Sequence, residues 1–190
     1  FDVLTSDINI EATIAAEVLK CSPASIDVVA GDTRESPESG TTASQRVTYA
    51  VGRAVVAAAG ELAALIRDIA AEIWGAPVDE VELIDGAVLR RGTQERLALA
   101  ELVRRSPTPL VVNHRQRIPY SECKSEGGLG RPHVLYSSNT QIVQVAVDTD
   151  TGEVRVEKVV AFPEVGQVIS RLGLEGQCEG GVVQGIGYAL

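Results

Sequence analysis

The chain has 190 residues, 45% of them hydrophobic, a formal net charge of -9 and a pI of about 4.8. This is enough for one ordinary domain or two small ones with a packed core, and it argues against bulk disorder. The acidic balance disfavours nucleic-acid binding, and no apolar run approaches the ~20 residues of a membrane span.

Cysteine and histidine usage indicates a reduced compartment. Cys21, Cys123 and Cys178 show no close pairing, which favours thiols in the cytoplasm over a disulfide framework. The two histidines and three cysteines form no Cys-x-x-Cys or His-x-x-x-His spacing, so a metal held by protein ligands is not expected. No signal peptide is visible, and because the chain begins with Phe1 we expect a piece of a longer protein.

The first half predicts two helices with a strand between them. Apolar residues at four-residue spacing predict a helix over 8–20, and alternation over 26–30 predicts a strand that ends at Gly31-Asp32-Thr33. A polar loop over 34–45 then leads into a long helix over 46–74. Its apolar stripe comprises Val47, Val51, Val55, Ala58, Leu62, Leu65, Ile69 and Ile73.

A candidate anion site lies just before the long helix, at Thr42, Ala43 and Ser44. Backbone N–H groups without partners and the positive end of the helix dipole converge at such a position, and hydroxyl side chains add donors. Ordinary N-capping by the same side chains is the simpler explanation of the pattern. From the residues alone, both interpretations stay open.

The middle of the chain predicts a hairpin, a short helix and a long connection. Asp85-Gly86 between apolar runs is a strong hairpin signal, and 97–104 has the pattern of an amphipathic helix. A strand is predicted over 110–112. The polar, glycine-containing stretch after it makes 115–138 the best candidate for an internal boundary, and Cys123 within it is interpreted as a bystander thiol.

A second hairpin is predicted from alternating valines at 143, 145 and 147 and at 154 and 156, with Gly152 in the turn. We expect one apolar face to be buried, so that Val145→Asp would destabilise the sheet.

The last stretch, residues 175–190, combines an apolar character with five glycines and two glutamines. Glycine costs a helix interior about 1 kcal/mol against alanine, so its repetition predicts close approach of a backbone or a ligand. Gln177 and Gln184 are two helical turns apart and face one way. Such an amide face suits a cofactor with many hydrogen-bonding edges, such as a pterin, and a tightly packed helix pair with the glutamines at its rim fits equally.

The motif Gly-Gln-x-Glu-Gly-Gly-x-x-Gln-Gly-x-Gly-Tyr-Ala-Leu over 176–190 resembles the late helix of the molybdenum-binding subunit in the xanthine dehydrogenase and aldehyde oxidase family. It is nearest to the bacterial hydroxylase and 4-hydroxybenzoyl-CoA reductase branch. Further resemblances cover nearly the whole chain: Val-x-x-Gly-Asp-Thr at 28–33, Gly-Thr-Thr-Ala-Ser at 40–44, and the valine hairpin with its Thr-Gly-Glu turn. The family's Ala-Ser-Arg reads Ala43-Ser44-Gln45-Arg46 here, with one extra residue.

The resemblance implies an α+β fold of the molybdenum cofactor-binding type, with mixed sheets in two layers against the long helices, and residues 1–190 as a fragment of that domain. It implies a molybdenum–molybdopterin cofactor in its cytosine dinucleotide form, contacted by Thr42, Ala43, Ser44 and Gln177. Gln177 is expected near a helix start, and Gln184 deeper, in a packing role.

The implied enzyme hydroxylates a heteroaromatic ring or an aldehyde with oxygen from water. FAD and iron–sulfur clusters belong to partner subunits or domains of a cytoplasmic oligomer that also holds the rest of the molybdenum subunit. The family's Gly-Gln-Gly loop does not precede Asn9, and its catalytic glutamate lies beyond the glycine-rich helix, so no catalytic residue is assigned and the fragment is expected to be inactive alone. The alternatives are a non-catalytic structural or assembly module and a small-ligand-binding module of the same fold.

Overall fold

The computed structural model describes residues 7–36, 46–118 and 136–190. The chain divides into two compact units, which comprise residues 2–117 and residues 118–190. Each unit is described below by itself.

The first unit begins with helix α1, Asp7–Leu19, which packs on helix α2. The predicted helix over 8–20 is therefore confirmed. Ala12, Ala16 and Leu19 are buried on one face of the helix, and Ile10 is buried near its start on the opposite side. Lys20 follows with a φ of 52°, and Ser22 caps a 3-10 turn over Pro23–Ser25. A left-handed residue followed by Ser-Pro stops the helix, because proline lacks the N–H that continuation requires.

Helix α2, Gly52–Trp74, is continuous with a π-helical turn over Val47–Val51, so the long predicted helix is confirmed with an irregular first turn. It ends in a Schellman motif: Gly75 has a φ of 59°, and the Ala76 N–H donates to the Ala71 carbonyl at 2.9 Å. Only glycine adopts this left-handed conformation at little cost.

The buried face of α2 differs from the predicted stripe. Leu65 is 40% exposed, and the buried side chains lie mainly one position further on, at Ala59, Ala63, Ile66, Ala70 and Ala71. Small residues occupy the centre of the packed face because α1 and the sheet approach closely there. The larger Leu62, Ile69 and Ile73 flank that centre and are partly buried.

A three-stranded antiparallel sheet of order β1-β2-β3 covers α2, with β1 over Val81–Ile84, β2 over Ala87–Arg90 and β3 over Arg96–Ala98. The predicted Asp85-Gly86 turn is confirmed, and both of its residues have positive φ. Helix α3, Leu99–Arg105, starts later than predicted because Leu97 pairs with Val88 as a strand residue. The core contains Val81, Val88, Leu97 and Leu102 from these elements.

Two predicted strands are wrong. Residues 26–30 and 110–112 form no strand pairing with any described part of the chain. Ile26 and Leu110 instead pack singly against the core, which explains their apolar character without a sheet. After residues 110–112, the His114 ring lies 2.8 Å from the Glu61 carboxylate of α2.

The second unit contains the predicted valine hairpin, which is longer than its valines indicated: β4 covers Ser138–Val147 and β5 covers Val154–Glu164. Helix α4, Arg171–Ala189, follows and packs on β5. No side chain in residues 136–190 is buried. Val145 is 46% exposed, so the expectation that its face is buried is wrong for this chain by itself.

The hairpin turn is organised by Asp148. Its Oδ1 accepts hydrogen bonds from the N–H groups of Asp150 and Thr151, both at 2.9 Å. These bonds, led by the one from Thr151, hold the pKa of Asp148 below its usual range, since they favour the charged carboxylate.

The α+β class is confirmed. The described strands pair only in antiparallel fashion, where mixed sheets were expected, because short turns join successive strands and parallel pairing needs a long crossover. Among the described helices, none has the length and apolar character required to cross a bilayer.

Candidate functional site

Helix α4 begins at Arg171 rather than at the predicted position near Gly176. The Ser170 Oγ caps it by accepting from the Gly173 N–H at 3.2 Å, and Arg171 pairs with Glu175 at 2.7 Å. Gln177 therefore lies in the second turn and not at the helix start. The extra turn at the N-terminus forms because a serine cap and an i, i+4 ion pair stabilise it.

The two glutamines of α4 share a face, as their spacing predicted. Seven residues differ by about 20° around a helix, so the amides of Gln177 and Gln184 point in nearly the same direction. Gln177 is half-buried and Gln184 is exposed. The expected packing role of Gln184 is wrong for the described residues, because its side chain is exposed whereas that of Gln177 is half-buried.

Neither glutamine amide has a hydrogen-bond partner within residues 7–36, 46–118 and 136–190. Each carboxamide offers two N–H donors and a carbonyl acceptor. The amide face therefore presents donors and acceptors that no described group of this chain uses.

Several glycines of α4 lie beside the amide face formed by Gln177 and Gln184, and the space around them is open. For a Cβ placed on Gly176, Gly180, Gly181, Gly185 or Gly187, no described heavy atom lies within 4 Å. The close neighbour that the glycines predicted is therefore not supplied by the described residues. The partly buried side chains mark the face toward β5 instead, at Leu174, Cys178, Val182 and Ile186.

The other sequence-predicted cofactor residues, Thr42, Ala43 and Ser44, lie outside the described residues. The first described segment after them is Arg46 and the π-helical turn, in which the Gly52 N–H donates to the Val47 carbonyl. A Cβ on Gly52 would lie 3.0 Å from the Ile14 side chain, so the close approach of α1 explains this glycine. The Arg53 guanidinium of α2 lies 5.4 Å from the ring centre of Tyr49 in the π-helical turn, which is a cation–π contact.

Sequence reasoning missed an open groove of about 640 Å³ in the first unit. It lies between the end of α1, the small residues Gly60 and Ala63 of α2, and β1, and an Arg91–Glu82 ion pair lies on its edge. Its walls are mostly apolar, and none of the sequence-predicted site residues lines it. Gly60 and Ala63, which leave space beside α2, were the available signal.

No three His, Cys, Asp or Glu side chains of the described residues are arranged to hold a metal ion. Cys21 and Cys178 are free, partly buried thiols, while Cys123 lies outside the described residues.

Comparison with known proteins identifies the family of this chain. Residues 9–190 match the family described as Molybdopterin cofactor-binding domain. The chain is 32% identical over 181 residues to the 6-hydroxypseudooxynicotine dehydrogenase complex subunit gamma of Paenarthrobacter nicotinovorans, a match that covers 94% of this chain and 22% of that protein. It is also 32% identical over 178 residues to a probable xanthine dehydrogenase subunit of Bacillus subtilis (strain 168), covering 93% and 23%.

The crystal structure of quinoline 2-oxidoreductase from Pseudomonas putida 86 has the same fold, with a TM-score of 0.73, 20% identity, and coverage of 98% of this chain and 24% of that one. The chain belongs to the molybdopterin cofactor-binding domain family, and the resemblance to the molybdenum subunits of the xanthine dehydrogenase and aldehyde oxidase family is confirmed. It spans less than a quarter of the length of these relatives.

Proposed function

We propose that this chain forms part of the molybdenum subunit of a molybdenum hydroxylase, which oxidises a heteroaromatic ring or an aldehyde with water as the oxygen source. The family and the naming of two relatives as subunits of dehydrogenases support this proposal. The cofactor is molybdenum–molybdopterin, in the cytosine dinucleotide form. FAD and iron–sulfur clusters reside on partner subunits or domains, and the assembly is a cytoplasmic oligomer that binds a small-molecule substrate.

The amide face of α4 is the observation that carries this proposal. Gln177 and Gln184 point the same way, lack partners among the described residues, and stand beside glycines with open space over them. A pterin edge alternates hydrogen-bond donors and acceptors, and a carboxamide matches both kinds. The residues present therefore fit the cofactor that the family implies.

Gln177 holds and orients the pterin in this proposal. Its half-buried position limits the competition of water for the amide, so a hydrogen bond to a ligand is stronger there than at the exposed Gln184. The neighbouring glycines let a planar ring approach the helix backbone, because no Cβ stands in its way. Thr42, Ala43 and Ser44 are proposed to offer backbone and hydroxyl donors to the dithiolene, phosphate or nucleotide end of the cofactor.

When bound, the cofactor supplies the two-electron oxidation chemistry, and the protein supplies position and hydrogen bonds. No residue of this chain is assigned to the chemical step. The function of α4 is therefore retention and orientation, and it is measured as cofactor occupancy.

The experiment compares Gln177→Ala with Glu179→Ala in the intact molybdenum subunit, with molybdenum measured by elemental analysis. Removing one partner of a buried hydrogen bond costs about 1–3 kcal/mol, so cofactor affinity is expected to fall by roughly 5- to 150-fold for Gln177→Ala. Glu179 is exposed, close in sequence and on another face of the helix, so Glu179→Ala is expected to retain molybdenum.

Gly181→Val adds a steric test. Nothing among the described residues contacts this position, so the variant is expected to leave the isolated chain folded and to exclude the cofactor in the intact subunit. Full molybdenum content in both Gln177→Ala and Gly181→Val would contradict the assignment. A wild-type subunit without molybdenum would favour a non-catalytic assembly module.

A further inference from the structure

The β4–β5 hairpin carries an apolar face made of three directly opposed valine pairs. Val143 pairs with Val159, Val145 with Val156, and Val147 with Val154. We name these six residues the valine face. Directly opposed residues of an antiparallel pair project from the same side of the sheet, so the six side chains form one continuous surface.

A β-bulge keeps the valine face continuous. Gln144 pairs with Lys158 and Val145 pairs with Val156, so Glu157 is the extra residue, and its carboxylate accepts a hydrogen bond from Gln144 at 2.9 Å. Without the bulge, Val156 and Val159 would project from opposite sides, because side chains alternate along a strand. The insertion therefore preserves an apolar surface that strict alternation would have broken.

The β4 half of this face is uncovered. Val143, Val145 and Val147 are 49%, 46% and 54% exposed. A two-stranded hairpin with such a surface is marginally stable in water, and it gains independent stability from a third strand or a covering layer.

The two strands differ in how their edges are protected. β4 is ten residues long and contains no charged residue and no proline, whereas β5 contains Arg155, Glu157, Lys158, Pro163 and Glu164. Among the described residues, β4 pairs only with β5, so its second edge presents main-chain N–H and C=O groups without strand partners. Proteins normally protect exposed edges with charges or proline, and β4 lacks both.

We propose that the second edge of β4 pairs with a β-strand from the remaining part of the molybdenum subunit, and that this addition extends the valine face with further apolar side chains. The relatives devote more than three quarters of their length to sequence beyond this segment, which supplies the partner. A strand fits better than a helix, because strand addition satisfies the main-chain groups of the edge and places alternate apolar side chains beside the valines.

This inference rests on the proposed function only in assuming a larger subunit. Its readout is amide protection and not molybdenum content. A subunit without molybdenum would contradict the proposed function and leave the strand addition intact, whereas a molybdenum-loaded subunit with an exposed β4 edge would do the reverse.

The test is residue-resolved amide hydrogen exchange of β4 in the intact subunit and in this chain alone. In a free edge strand, every second N–H points away from its partner and exchanges rapidly. We expect that alternation in the isolated chain, and protection of both sets of amides by at least about 100-fold in the intact subunit. Rapid exchange of every second β4 amide in the intact subunit would overturn the proposal.

A matched pair of variants gives a second test. Val145→Lys adds a charge to the valine face, and Val103→Lys adds the same charge to α3 at a similar exposure of 54%. We expect Val145→Lys alone to remove the β4 protection of the intact subunit, while the isolated Val145→Lys chain unfolds at the wild-type denaturant concentration. Equal effects of the two variants on protection would overturn the proposal. So would dimerisation of the intact subunit through β4, since a second copy would then be the partner.

Discussion

The two units of the chain place their apolar side chains differently. Every buried side chain of the described residues lies between Ile10 and Leu102, in the first unit, whereas residues 136–190 expose Phe162, Leu172 and Tyr188 by 57%, 83% and 84%. The first unit closes a core by itself, because α1, α2 and the three-stranded sheet bury one another. Residues 136–190 have regular secondary structure in which no side chain is buried, and a two-stranded hairpin of this kind is marginally stable without further packing. Clear sequence signals for helices and strands therefore occur both where a core is buried and where none of the described side chains is buried.

The largest expected difference concerns leucine truncation. Leu102 is fully buried and Leu172 is exposed, so Leu102→Ala should lower the free energy of unfolding by about 2–5 kcal/mol. Leu172→Ala should change it by less than about 0.5 kcal/mol. Urea unfolding of the chain measures both values, and similar losses would mean that the second unit has a core of its own.

Glycine replacement should have opposite signs in the two units. Gly75 adopts a left-handed conformation at the end of α2, so Gly75→Ala should cost about 1–2 kcal/mol in unfolding experiments. Gly181 has helical backbone and open space around it, so Gly181→Ala should favour helix by up to about 1 kcal/mol. Circular dichroism of the isolated chain checks the gain; a loss of helix there would mean that a neighbour already occupies the space.

The smallest expected effect is a pH dependence in the second hairpin. The pKa of Asp148 is lowered in the folded state. Its carboxylate therefore contributes stability at pH values above its unfolded-state pKa of about 3.9, and this contribution is lost as the pH falls through the folded-state pKa. Asp148→Asn keeps an oxygen acceptor for the turn, so it should abolish the acid transition while the hairpin persists. Asp150→Asn should leave the transition in place, since only the backbone of Asp150 bonds to Asp148. NMR titration of the amides at 150 and 151 follows both variants.

The sequence predicted the elements whose signals are local. Asp85-Gly86 and Gly75 determine their turns through backbone conformation, and the valine alternation determined the second hairpin. Strand assignments failed where tertiary context decided: Ile26 and Leu110 are apolar because each contacts the core, while Leu97 extends as a strand because Val88 lies beside it.

The candidate site was predictable in composition but not in exposure. The shared direction of Gln177 and Gln184 follows from helical spacing, whereas the open space around the glycines depends on what packs against α4. The spacing of residues along a helix gives no information about neighbours that come from other parts of a protein. The same limit explains why Val145 was expected to be buried.

The π-helical turn has a consequence for alignment across the family. Such a turn accommodates one additional residue within a helix, and it rotates everything before it by about 100° relative to an uninterrupted α-helix. Counting backwards from α2 therefore misplaces upstream residues by one position, which is the size of the one-residue difference between Ala43-Ser44-Gln45-Arg46 and the family's Ala-Ser-Arg. Because the π-helical turn ends before Gly52, it takes up the extra residue without changing the α-helical register of Gly52–Trp74, and the packed face of α2 keeps its positions.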